Sequence, residues 1–188
     1  MRKTLLMIAV SALPAAGFAA PATYTVDPAH TYPHFAINHL GFSTMHGRFN
    51  ATEGKITVDL AGKTGMVDIK IDANSVDTGF QKRDDHLRSP DFLNAAEFPT
   101  ITYKSSKVVI SDNSSATVEG ALTIMGVSKP VTLAVDHIQC GANPMNKKEM
   151  CGFNATATIK RSDFGVNYAL PAVGDEMQIT LEVEAVKD

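Results

Sequence analysis

Four of the six histidines, His30, His34, His39 and His46, fall within 17 residues, a density that invites a metal-ligand reading. The spacing argues against it. On extended chain the five-residue step from His34 to His39 sends the two rings to opposite faces, and neither an HExxH motif nor a cysteine cluster accompanies them. No metal site is expected. Asp84, Asp85 and His86 could form an acid and base set, but adjacent helical residues diverge, so they read as solvated helix charges. The chain has no G-x-S-x-G elbow, P-loop or G-x-G-x-x-G run, so neither catalytic residues nor a cofactor is expected. His39 differs from the others because it alternates in step with Phe35 and Ile37. It is read as buried, either as a core histidine with a hydrogen-bond partner or as a polar contact to the head group of a bound molecule.

Cys140 and Cys151 bracket the polar segment GANPMNKKEM. In an oxidising compartment an even pair persists as a disulfide, here a staple across two strands contributing about 2–3 kcal/mol. The alternative, a metal pair, has only His137 nearby and falls short of a zinc set.

The elements that would position these groups are strands. From Thr23 onward short runs alternate with period two between Gly, Asn, Asp and Pro. Val67, Ile69 and Ile71 share one face of Met66 to Ile71, and Phe153, Ala155, Ala157 and Ile159 one face of the run to Lys160. Met177, Ile179, Leu181 and Val183 do the same in the last run. Similar runs at Tyr24 to Asp27, Pro33 to Leu40, Gly47 to Asn50, Lys55 to Leu60, Thr100 to Ile110, Ala116 to Met125 and Pro130 to Ile138 bring the expectation to eight to ten strands. One helix is expected over Gln81 to Arg88, with an Asp84–Arg88 pair on its charged face and a second short turn opening at Ser89 and Pro90. A closed barrel removes the exposed edges such strands would leave. Small residues on inner faces, Gly120, Ala155 and Ala157, either relieve crowding or leave a cavity.

The chain begins with a basic pair, Arg2 and Lys3, then an apolar run from Leu5, the helix breaker Pro14 and small residues up to Ala20. This reads as a signal peptide over residues 1–19, too short to span a bilayer as an anchor. The remaining 20–188 read as one domain, exported to the periplasm. With 17 basic and 20 acidic residues, no cationic surface points to nucleic acid.

Ordered motifs then carry a resemblance. His39-Leu40-Gly41 with Gly47-x-Phe49, Ser75-Val76-Asp77-Thr78, Arg83-Asp84-x-His86-Leu87-Arg88-Ser89-x-Asp91-Phe92-Leu93, Phe98-Pro99-x-Ile101, Gly120-x-Leu122-Thr123-Ile124-x-Gly126-Val127-x-Lys129-Pro130-Val131 and Arg161-x-Asp163-Phe164-Gly165 resemble the YceI-like polyisoprenoid-binding family. The likeness runs from about Thr23 to Lys187. It implies an all-β protein with one or two short helices, a lipocalin-like antiparallel barrel of about eight strands enclosing an apolar tunnel for a long isoprenoid. It also implies that Leu87, Phe92 and Leu93 line or cover that tunnel.

Taken with the alternation, this predicts a lining of Phe35, Ile37, His39, Phe49, Ile69, Leu87, Phe92, Ile101, Tyr103, Leu122, Ile124 and Phe153, with His39 and Tyr103 meeting the head group. The expected function is a non-catalytic periplasmic carrier of a polyprenyl phosphate, quinone or similar lipid, with only transient membrane contact and a homodimer allowed. The competing readings are an enzyme acting on the lipid head group and a stress-linked interaction module with a solid core.

Overall fold

The computed structural model describes residues 20–112 and 114–188, so the expected signal segment lies outside the described residues. The alternating runs form β1 (Ala22–Val26), β2 (Tyr32–His39), β3 (Ser43–Phe49), β4 (Thr52–Asp59), β5 (Thr64–Asp72) and β6 (Val76–Asp77). After the helix α1 (Gln81–Arg88) come β7 (Thr100–Asp112), β8 (Ser115–Ile124), β9 (Val127–Ala142), β10 (Glu149–Lys160) and β11 (Val173–Lys187). The antiparallel order β1-β4-β5-β7-β8-β9-β10-β11 returns to β1 and closes an eight-stranded barrel.

The long strand β11 makes the closure possible, because β1 and β2 share its free side. Lys187 to Ala185 face Tyr24 to Val26, whereas Glu182 to Val173 face Tyr32 to His39. From β2 the sheet continues through β3 to β6, which leads into α1. Tight turns keep the neighbours in register: Met125 and Gly126, at φ 50 and 73, join Ile124 to Val127. Positive φ at both positions suits the right-handed strand twist of a two-residue hairpin.

The two ends of the barrel differ. At one, Tyr24, Val26, Ile56, Val58, Ile110, Ala116, Ile138, Cys151 and Ala185 pack into a buried cluster. Cys151 stands directly opposite Cys140 on β9 and β10, and the two form the expected disulfide. The other end carries α1, the β2–β3 turn and the segment between β10 and β11.

The helix spans the predicted residues, but one expectation around it changes. Ser89 ends α1 by donating its N–H to the His86 carbonyl, and the expected short turn follows, with the Phe92 N–H donating to the Ser89 carbonyl at 3.0 Å; only the pairing on the charged face differs. Arg88 pairs with Asp85 at 3.0 Å, not with Asp84. Asp84 is 5% exposed and accepts hydrogen bonds from the Thr78 N–H, at 2.9 Å, and the Thr78 hydroxyl. Here tertiary contact overrides the helical spacing: the chain entering α1 folds back over Asp84, and its carboxylate satisfies the donors this buries.

Candidate functional site

The inward faces of the strands do not meet, and the space between them is a cavity of about 490 Å³. Its wall runs from Ile56, Val58 and Ile110 in the buried cluster to His39, Tyr168 and Val173 at the helix end. Small inward residues help to open it. Ala155 and Ala157 lie on the wall, opposite Leu181 and Ile179 of β11. Gly120 works differently. A side chain there would meet Tyr103 Cζ and Oη at 2.7 Å and the Lys104 carbonyl at 2.5 Å. The Tyr103 ring therefore occupies the space that Gly120 vacates, and the two small-residue readings each hold at different positions.

The helix end is built from three segments. The β2–β3 turn brings Leu40, whose N–H donates to the Ala172 carbonyl at 3.0 Å. From α1 comes His86, whose ring packs edge-on against Phe92 at 5.0 Å and Tyr168 at 5.1 Å, with Phe92 and Tyr168 5.2 Å apart. His86 Nε2 lies 2.9 Å from Asp91 Oδ2, which orients the ring. Arg161, at the end of β10 and 4% exposed, holds the third segment by donating to the carbonyls of Gly174 at 2.8 Å, Val166 at 3.0 Å and Val173 at 3.1 Å.

All the residues predicted to line the tunnel, from Phe35 to Phe153, stand on the wall of this cavity, and so does Leu93. Of the two polar residues expected at the head group, His39 needs correction in its burial and Tyr103 in the partners of its hydroxyl. His39 is exposed rather than buried, because β2 ends there and the wall opens. It touches the cavity at its mouth. Tyr103 is 6% exposed, and its hydroxyl sits 3.0 Å from both the Val118 and the Val131 carbonyl oxygens. It is committed to the protein's own backbone.

Burial, with a lesser contribution from the Glu119 charge, pushes the Tyr103 hydroxyl up to about 12 from its ordinary 10.0. Its contribution to stability is therefore intact below pH 10 and falls away as pH rises toward about 12. Tyr103→Phe is expected to lower unfolding free energy at neutral pH by about 1–2 kcal/mol in urea titration, the value of a buried hydroxyl bond whose acceptors lose a donor. An unchanged midpoint would show that the hydroxyl is not structural.

Sequence reasoning missed several wall residues: Thr78, Arg83, His86, Arg161 and Tyr168. They fall in turns or short helices, outside the period-two alternation; the motifs that carry the resemblance include Thr78, Arg83, His86 and Arg161, but nothing in them says that these side chains face inward. Arg83 is partly buried and donates from Nε to the Thr78 hydroxyl and from Nη2 to the Thr78 carbonyl, both at 2.7 Å. Away from the cavity, Asp27, His30 and Glu184 place three ligand atoms within 4.8 Å of one another. His30 and Asp27 already hydrogen-bond each other at 2.8 Å, an exposed local pair.

A closed antiparallel barrel around a long apolar cavity is the architecture of lipocalin-like binding proteins. Within that class the chain belongs to the YceI-like family, whose domain model matches residues 24–185. A UPF0312 protein of Pseudomonas aeruginosa is 40% identical, the match covering 100% of this chain and 99% of the relative. One from Pectobacterium carotovorum is 38% identical over 100% of this chain and 98% of its own length. Among solved structures, BcnA of Burkholderia cenocepacia aligns with a TM-score of 0.76 at 27% identity, covering 85% of this chain and 99% of that one. The YceI protein of Campylobacter jejuni gives 0.72 at 33% identity, over 81% and 90%. A polyisoprenoid-binding domain from Saccharophagus degradans shares the fold at 0.64 and 16% identity, over 89% and 99%.

Proposed function

We propose that the protein is a periplasmic, non-catalytic carrier that holds a long-chain isoprenoid or similar amphiphile, of the polyprenyl phosphate or quinone type, inside its barrel. The observation that carries this reading is the cavity: strand after strand supplies apolar side chains to one continuous wall, from the buried cluster to the open helix end. Each methylene moved from water into such a wall contributes about 0.8 kcal/mol, so a prenyl tail binds tightly without strong polar contacts. The fold shared with a polyisoprenoid-binding domain supports the same ligand class. The Cys140–Cys151 disulfide and the signal-like first nineteen residues support export. Among the described residues no helix is long and apolar enough to cross a membrane.

The test is organic extraction of protein purified gently from its native host, read by mass spectrometry. One long-chain isoprenoid per chain is the expected result. An empty extract from protein whose cavity exchanges freely with water would overturn the reading.

A further inference from the structure

The chain as a whole carries more acidic than basic residues, 20 against 17. Its cavity reverses that balance. Among the described residues the wall includes Arg83 and Arg161 and four histidines, His34, His39, His46 and His86, but no Asp, Glu or Lys. Neither arginine has a carboxylate oxygen within 4.0 Å among the described residues. Arg161 leans on carbonyls alone, and the nearby Asp175 is turned to the N–H of Ser162 at 2.9 Å and its hydroxyl at 2.8 Å. Arg83 reaches Asp84 only through the Thr78 hydroxyl, and Asp84 is not on the wall.

A guanidinium has five N–H donors. Arg161 places one donor from each of its nitrogens on carbonyls, which leaves one N–H on each Nη atom. Arg83 uses Nε and one Nη2 donor, and its Nη1 makes no bond among the described residues. Burying a cation without a paired anion is unfavourable, and a guanidinium fork matches carboxylate and phosphate oxygens.

Both groups also stand at the same end. His86, one turn beyond Arg83 on α1, packs against Tyr168, which belongs to the segment that Arg161 clamps. Arg161 follows Cys151 by ten residues of β10, about 30 Å of extended chain. Resting on the carrier reading above, we infer that the helix end of the cavity is an anion subsite: Arg83 and Arg161 receive the phosphate or carboxylate head of the amphiphile, and its tail runs toward the disulfide end. The structure thus favours an acidic lipid over a neutral quinone or alcohol.

The experiment compares geranylgeranyl phosphate with geranylgeraniol, two probes with one tail and different heads, in competition for a fluorescent fatty probe on the delipidated full domain. The phosphate is expected to bind about tenfold or more tightly, the range of a hydrogen bond to a charged group. Arg83→Met is expected to remove most of that preference, read as the ratio of phosphate to alcohol affinity in the same variant, and raised salt to narrow the gap in the unsubstituted protein. Arg161→Met is expected to do the same. Because it also loosens the segment from Val166 to Gly174, its folding is checked by circular dichroism, and Arg83→Met is the deciding variant. Equal affinities, or a preference that survives Arg83→Met, would overturn the anion subsite alone. Failure of both probes to bind would overturn the carrier reading and the subsite with it.

Discussion

Gly120→Val is expected to lower unfolding free energy by about 3 kcal/mol or more, the upper range for overpacking a filled site. Position 120 is buried and lies in the middle of β8, where the ladders to β7 and β9 fix the backbone on both sides. A Cβ added there would stand 2.5 Å from the Lys104 carbonyl and 2.7 Å from the Tyr103 ring. The carbonyl belongs to the neighbouring strand and cannot withdraw. The ring is pinned by its hydroxyl at Val118 and Val131, so it cannot swing aside without orphaning that donor. Urea unfolding followed by circular dichroism measures the loss. A change under about 1 kcal/mol would mean that Tyr103 moves into the cavity at little penalty.

Ala157→Phe is expected to have the opposite character: little loss of stability and near-complete loss of extractable lipid. Ala157 lies on the cavity wall and is only partly buried, so a benzyl group added there projects into space rather than into packed atoms. The ring buries its own apolar surface against Ile179 and its neighbours, which offsets the strain of insertion. It also obstructs the path a prenyl chain would follow between the helix end and the buried cluster. Extraction and mass spectrometry of the variant, beside a urea curve, separate the two effects. Retention of a full complement of lipid would show that the tail takes another route.

The contrast between these two small residues shows how far the sequence can be read. Period-two alternation places Gly120, Ala155 and Ala157 on inner faces correctly, because the pleat of a strand allows no other assignment once one face is apolar. Whether the missing volume is filled from elsewhere depends on a partner strand. Tyr103 comes from β7 and covers Gly120, whereas nothing fills the space beside Ala157, and only the barrel's shear decides which of these happens.

The same boundary separates the lining from its polar end. Phe35, Ile37, Ile69, Leu122 and Phe153 are legible because each sits on a regular strand whose hydrophobic pattern carries its orientation. Arg83 and Arg161 are not, because a basic residue on a short helix or turn ordinarily faces water, and nothing local distinguishes one that does not. Asp84 escapes the pattern for the same reason. Helical spacing suggests Arg88 as its partner, but the descent of the chain through Thr78 buries it.

What the sequence by itself determined was the fold and the apolar wall: strand periodicity, turn residues and a cysteine pair across a hairpin are short-range signals that survive without coordinates. What only the tertiary structure decided was which polar groups face inward. That choice rests on contacts between different segments of the chain, Tyr103 with Val131, His86 with Tyr168 and Arg161 with Gly174, where a buried donor must find an acceptor wherever the closed barrel brings one.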